Sequence, residues 1–161
     1  MKKIIICIIA GMLPLLAANA QSTKVPVTSA FEFSGVKLGS EMSAGQIKAK
    51  FGRPDQIESE GNEVSYIYGR SEIYTVDNVI ESVIIRDAGF PVFGSLISGG
   101  IKVGDKVADV KAKLNGLTSC TLREFSTSDG KRGFKAGGAD DWISFEVDGR
   151  GLVAGIYYHL N

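Results

Sequence analysis

The chain is short of histidine, cysteine and net charge, and each shortage removes a class of function. One His and two Cys in 161 residues cannot furnish a Cys/His zinc site or a disulfide scaffold. Lys and Arg together number 18, as do Asp and Glu, for a formal net charge of zero. That balance leaves no basic footprint for a phosphate backbone, so nucleic acid is not an expected partner. No apolar run reaches the roughly 20 residues that a membrane-spanning helix needs. Prolines number four against 20 glycines, and the glycines punctuate segments rich in Val, Ile, Tyr and Phe. This is the composition of a folded, turn-rich domain rather than a disordered chain.

The N-terminus reads as an address. Lys2 and Lys3 precede an apolar run from Ile4 to Ala17, and Ala18-Asn19-Ala20 forms a small-x-small cleavage site before Gln21. This is the pattern of a secretory signal peptide. Residues 1–20 are therefore expected to be removed, and the mature chain to be periplasmic or secreted without a membrane span. No cysteine sits immediately after the cleavage site, where Gln21 stands, which speaks against a lipid anchor. Removal takes two Lys and Cys7 and leaves 141 of the 161 residues, with 16 basic and 18 acidic side chains. Cys120 is then the remaining thiol, expected as a small buried hydrophobe on a strand.

An internal repeat organises the remainder. Gly35-Val36-Lys37-Leu38-Gly39 matches Gly100-Ile101-Lys102-Val103-Gly104 at an offset of 65, and Ile47-Lys48-Ala49-Lys50-Phe51 matches Val110-Lys111-Ala112-Lys113-Leu114 at an offset of 63. Val76-Asp77 and Val147-Asp148 later precede a strand in each copy. The expected organisation is a lead-in over 21–34, a first repeat over 35–86, an inter-repeat segment over 87–99 and a second repeat over 100–161.

Local signals place the elements. Ser43 with Gln46 forms a capping box, Ile47 and Phe51 make an i, i+4 apolar pair, and Gly52 with Pro54 stops a helix over about 44–51. In the second copy Asp105 is expected to cap a helix from Lys106, with Val107, Val110 and Leu114 inward and Asn115-Gly116 ending it. Strands are expected over 64–68, 72–76 and 79–86, separated by Gly69-Arg70 and Asp77-Asn78, and over 120–125, 142–147 and 151–160. Lys131-Arg132 reads as a solvated loop tip. Each repeat is thus a short helix on a three-stranded antiparallel meander, and the class is α+β.

This sequence of features, Gly-Val-Lys-Leu-Gly, a capped helix ending Phe-Gly-x-Pro, tyrosine-rich strands and a Val-Asp-Asn turn, resembles a small helix-plus-sheet repeat of secreted bacterial proteins. That repeat occurs in tandem in the β-lactamase inhibitor protein family and singly in the small lipoprotein of the outer-membrane barrel-assembly machine. The resemblance covers Gly35 to Tyr158. It implies a non-enzymatic module that grips another protein with its open sheet face and loops.

Enzyme signatures are not found in the sequence. His159 is the lone imidazole, no Gly-x-Ser-x-Gly elbow is present, and Asp140-Asp141 are adjacent residues that a strand points to opposite faces. No phosphate-cradling Gly-Lys-Ser/Thr loop exists, and Asp129-Gly130 and Asp148-Gly149 lack calcium-loop spacing and read as turns. No cofactor, catalytic residue or metal ligand is expected.

Period-two alternation then locates a candidate surface. With Phe145, Val147, Leu152, Ile156 and Tyr158 facing the helix, Trp142, Ser144, Glu146, Val153, Tyr157 and His159 point outward. Transferring that register to the first copy sends Ile73, Thr75, Ile80, Ser82 and Ile84 outward as well. The expected partner-binding residues are Trp142, Tyr157, Glu146, His159, Ile73 and Ile84. Phe90 and Phe93 join them from an inter-repeat segment that either packs between the units or forms a hook. The function expected is a secreted or periplasmic protein-binding module, with inhibition of an envelope enzyme as one form of it. A structural envelope protein that self-associates as a homodimer is the second reading, and a small-ligand carrier the third.

Overall fold

The computed structural model describes residues 32–90, 92–93, 99–117, 122–137 and 141–160. Residues 1–20, Cys120 and Asp140 lie outside the described residues. In chain order the elements are β1 (Glu32–Phe33), α1 (Ala44–Phe51), β2 (Gln56–Glu60), β3 (Glu63–Tyr68), β4 (Ser71–Val76), β5 (Val79–Ile85), β6 (Val92–Phe93), α2 (Val107–Leu117), β7 (Arg123–Ser126), β8 (Arg132–Gly137), β9 (Asp141–Val147) and β10 (Val153–Leu160). The fold is α+β: among the described residues there are two helices and an eight-stranded antiparallel sheet in the order β2-β3-β4-β5-β10-β9-β8-β7, with β1 and β6 forming a separate two-stranded ribbon.

Helix α1 begins and ends where local chemistry dictates. The Gln46 N–H donates to Ser43 Oγ (3.4 Å) and the Ser43 N–H to Gln46 Oε1 (2.8 Å), which satisfies two otherwise orphaned donors. Gly52 takes φ +86° and closes the helix with its N–H on Lys48 O. Helix α2 departs from expectation at both ends. The Asp105 carboxylate accepts from Lys102 N–H (3.1 Å) instead of capping the helix. The Val107 N–H donates to Gly151 O (3.1 Å), so a neighbouring turn satisfies the first-turn donor. The helix also continues past Gly116 to Leu117.

Four strands form each half of the sheet where three were expected. Strand β2 was unrecognised because Gln-Ile-Glu-Ser-Glu has no apolar face; all five of its residues are exposed, and its charge protects the sheet edge from further pairing. Strand β8 lies in what reads as a glycine-rich loop, so Arg132 is a strand residue and not part of a tip.

The two halves meet at the β5–β10 pair, where Ile84 lies opposite Tyr157 and Ser82 opposite His159. On the β5 side, the Gly39 N–H donates to Ile80 O (2.8 Å) and the Ile80 N–H to Ser40 O (3.0 Å); on the β10 side, Gly104 donates to Val153 O (2.8 Å) and Val153 to Asp105 O (2.9 Å). Both strands carry a register shift next to these bonds, which passes over Glu81 in β5 and Ala154 in β10.

One face of the sheet packs against both helices. Ile47, Val110 and Leu114 from the helices and Tyr66, Ile73, Ile80, Val83, Phe134, Ile143, Phe145, Val153, Ile156 and Tyr158 from the strands form a single buried cluster. Phe51 sits at its margin, half-buried and stacked on Phe33 with ring centroids 5.1 Å apart.

Candidate functional site

Strand pairing defines the face opposite the helices. Directly opposed residues in an antiparallel ladder share a face. One row therefore runs Ile67, Glu72, Ile84, Tyr157, Ser144, Lys135, Arg123, and the next runs Ser65, Tyr74, Ser82, His159, Trp142. Of the residues expected there, the structure brings Trp142, Tyr157, Glu146, His159 and Ile84 together on this outer face.

The remaining expectations require correction. Ile73 is 1% exposed and lies opposite Tyr66 and Val83 on the core face. Thr75 and Ile80 are buried beside it, the Thr75 hydroxyl donating to Val64 O at 3.2 Å. Ile73 and Thr75 lie on the unbroken β4, whose pairing with Tyr66 and Val64 on β3 sets their phase. For Ile80 the cause is the shift at Glu81, because one extra residue inverts the facing of what lies beyond it in β5. Val153 turns inward for the same reason: Ala154 intervenes between the Val153–Val147 and Gly155–Glu146 pairs. Phe90 is an inward prop rather than a hook, its ring 5.0 Å from Tyr68 and 6.3 Å from Phe51. Phe93 pairs through its backbone with Glu32, and its side chain lies outside the described residues.

At the centre of the outer face, Tyr157 is held from both sides. Its hydroxyl donates to Glu146 Oε2 (2.7 Å) and accepts from the Arg86 guanidinium (2.9 Å), while Arg86 Cζ also stands 5.6 Å from the ring centroid. Burial and the Glu146 hydrogen bond raise the phenol above its ordinary value, and they outweigh Arg86, which acts in the opposite sense. Trp142 and His159 form a second ring pair, their centroids 5.4 Å apart and their planes inclined by 36°. Beside Tyr157 a hollow of about 250 Å³ is lined by Arg86, Phe125, Lys131, Ser144 and Glu146. Together these groups offer aromatic surface, hydrogen-bond donors and one fixed carboxylate, which is chemistry suited to recognition.

Arg86 was missed in the sequence because it lies just beyond β5, and residues distant in sequence place it. Asp87 Oδ2 accepts from Arg70 N–H (2.9 Å) and Ser71 Oγ (3.0 Å), and Ser71 Oγ in turn accepts from Arg86 N–H (3.0 Å). Burial pushes the Asp87 carboxyl upward, but these donors and the Arg70 guanidinium outweigh it, and the group titrates below its ordinary 3.8. A lowered carboxyl adds stability that is present above the unfolded-state value and lost as pH falls through the folded-state value. Wild-type stability is therefore expected to fall below about pH 4, where carboxylates begin to protonate. In Asp87→Asn the difference between urea midpoints at pH 7 and pH 3 should be smaller. An unchanged difference would show that Asp87 does not hold this corner.

The far side of the face has a different character. Tyr74 hydrogen-bonds Glu63, and that bond, with some burial and the charges of Glu63, Glu81 and Glu72, pushes its phenol up to about 12. Glu58, Glu60, Glu63 and Ser65 line a hollow with it. Among the described residues no group of His, Cys, Asp and Glu is arranged to hold a metal ion, and no helix is long and apolar enough to cross a membrane.

No family model and no curated protein matches the chain. Among solved structures, a DUF4309 family protein, YjgB from Bacillus subtilis, is similar at 13% sequence identity with a TM-score of 0.43, the match covering 79% of this chain and 83% of that one.

Proposed function

We propose that the chain is an exported protein-recognition module, built from a duplicated helix-plus-meander unit, whose outer sheet face binds a protein partner. The Arg86–Tyr157–Glu146 arrangement beside Trp142 and His159 carries this reading. Two aromatic groups fixed by hydrogen bonding and ring contact lie at the centre of a face that neither helix covers. Rigid Trp and Tyr surrounded by polar groups have the composition of interface hot spots. Duplication is supported by the matching bonds Gly39–Ile80 and Gly104–Val153, and by register shifts at Glu81 and Ala154. It is further supported by the strand order, four strands on each side of the β5–β10 seam. Export rests on the Lys2-Lys3, apolar-run and Ala18-Asn19-Ala20 pattern.

The test is capture from an envelope extract by the tagged mature chain and by Trp142→Ala/Tyr157→Ala. Partner recovery is expected to fall at least about tenfold in the double variant, as for loss of hot-spot residues, while its circular dichroism is unchanged. A folded double variant that recovers the partner in full would overturn this reading.

A further inference from the structure

We infer that the partner seated on the outer face is a second copy of this chain, the two faces meeting about a twofold axis that lies between the sheets and runs along the β5–β10 seam. This rests on the reading of the outer face as the recognition surface. The observation that carries it is how charge is divided across that face. On strands β2 to β5 the outward positions hold Glu58, Glu60, Glu63, Glu72 and Glu81, gathered around Tyr74. From the seam across to β7 the charged groups are Arg86, Lys131, Lys135 and Arg123. Two carboxylates stand among these four cations, Glu146 engaged by the Tyr157 hydroxyl and Asp129 3.4 Å from Lys131 Nζ, and the region keeps a basic excess. Between the two charged regions lie Ile84, Tyr157, Trp142 and His159.

Such a face is complementary to itself. Rotation by a half-turn about an axis parallel to the seam lays the β2–β5 half of one copy over the β7–β10 half of the other. In a twofold interface every contact occurs twice, so both acidic halves meet basic ones, and the seam residues of one copy meet those of the other. A twofold axis perpendicular to the strands would instead set acid upon acid and base upon base, which is repulsive. Charge toward the margins with aromatic and aliphatic groups at the middle is also the usual anatomy of an interface. The mature chain's 16 basic and 18 acidic side chains, a formal net charge of −2, leave little overall repulsion between copies.

The experiment is sedimentation equilibrium of the purified mature chain at low and high salt, with two charge-reversed variants. Glu58→Lys/Glu60→Lys/Glu72→Lys sets three Lys against the remaining Glu63 and Glu81 and turns the acidic half net basic, and Arg123→Glu/Lys135→Glu turns the basic half net acidic. Wild type is expected to dimerise and to loosen as salt rises. Each variant alone should be monomeric, whereas an equimolar mixture should form a heterodimer at least about tenfold tighter than either self-association. That recovery also demonstrates that both variants fold. Wild type that stays monomeric at its highest soluble concentration, or variants that dimerise as well as wild type, would overturn the inference. A monomeric wild type whose capture of a different protein is still lost in Trp142→Ala/Tyr157→Ala would sink the second-copy assignment and leave the recognition face standing. Failure of both experiments would remove the face itself.

Discussion

Phe145→Ala is expected to lower the unfolding free energy by about 3–5 kcal/mol, the range for truncating a buried phenylalanine. Phe145 is 0% exposed. It lies opposite Ile156 on β10 and Phe134 on β8, and its ring stacks on Phe134 with centroids 4.8 Å apart and planes 16° from parallel. The loss has two parts: the transfer free energy of the ring, and the contacts its neighbours lose around a void that a sheet held by hydrogen bonds on both sides cannot close. Against a total of about 5–15 kcal/mol for a typical domain, this is a large fraction, readily measured as a shift in urea midpoint. Trp142→Ala, on the same strand but facing outward, should cost much less because its ring is only half-buried. A loss below about 1 kcal/mol at Phe145, less than a well-packed methylene is worth with its cavity, would mean that β9 faces the other way.

Gly133→Ala is expected to destabilise by roughly 1–3 kcal/mol, the cost of overpacking. This reverses the usual sign for a glycine whose backbone any residue could adopt, where alanine restricts the unfolded chain and stabilises. Gly133 lies opposite Phe125 on β7 and Glu146 on β9. A Cβ placed there would run into the Phe145 carbonyl oxygen and come within 2.7 and 2.9 Å of two Phe125 ring carbons. The ring can swing aside, but the carbonyl belongs to the β8–β9 ladder, so the strands themselves would have to part. Gly149→Ala is the matched control: nothing stands within 4 Å of its added Cβ, and the change should stay within about 0.5 kcal/mol, as for an ordinary surface substitution. Equal stabilities for the two variants, by thermal or urea unfolding, would show that the Phe145 carbonyl does not press on Gly133.

Helix α1 was legible to the residue because its determinants are local: the Ser43–Gln46 box, the Ile47–Phe51 spacing and Gly52 before Pro54 act within one or two turns. The α+β class and strands β3, β4, β5, β9 and β10 were legible for a related reason, since β-branched and aromatic runs between turn residues announce themselves. The Asp77-Asn78 turn, with φ of +50° and +67°, is where a tight hairpin places such residues. Five outer-face residues, Trp142, Tyr157, Glu146, His159 and Ile84, were also within reach of alternation alone.

What alternation could not supply was phase. Ser-Glu-Ile-Tyr-Thr-Val has apolar or aromatic residues on both faces, so its own pattern leaves Ile73 and Tyr74 interchangeable. Pairing with Tyr66 and Val83 sends Ile73 inward. The shifts at Glu81 and Ala154 have no sequence signature and exist only against a partner strand. Strand β2 is held by hydrogen bonds to β3 and not by burial, so hydrophobicity could not reveal it. Arg86 reaches Tyr157 across 71 positions of sequence, from a corner fixed by Asp87, Ser71 and Arg70. The division of the outer face into acidic and basic halves likewise belongs to no segment. Local chemistry determined the elements of this protein, whereas the pairing of distant strands decided which side chains share a surface, because facing in a sheet is set by register and register is a property of two chains of atoms at once.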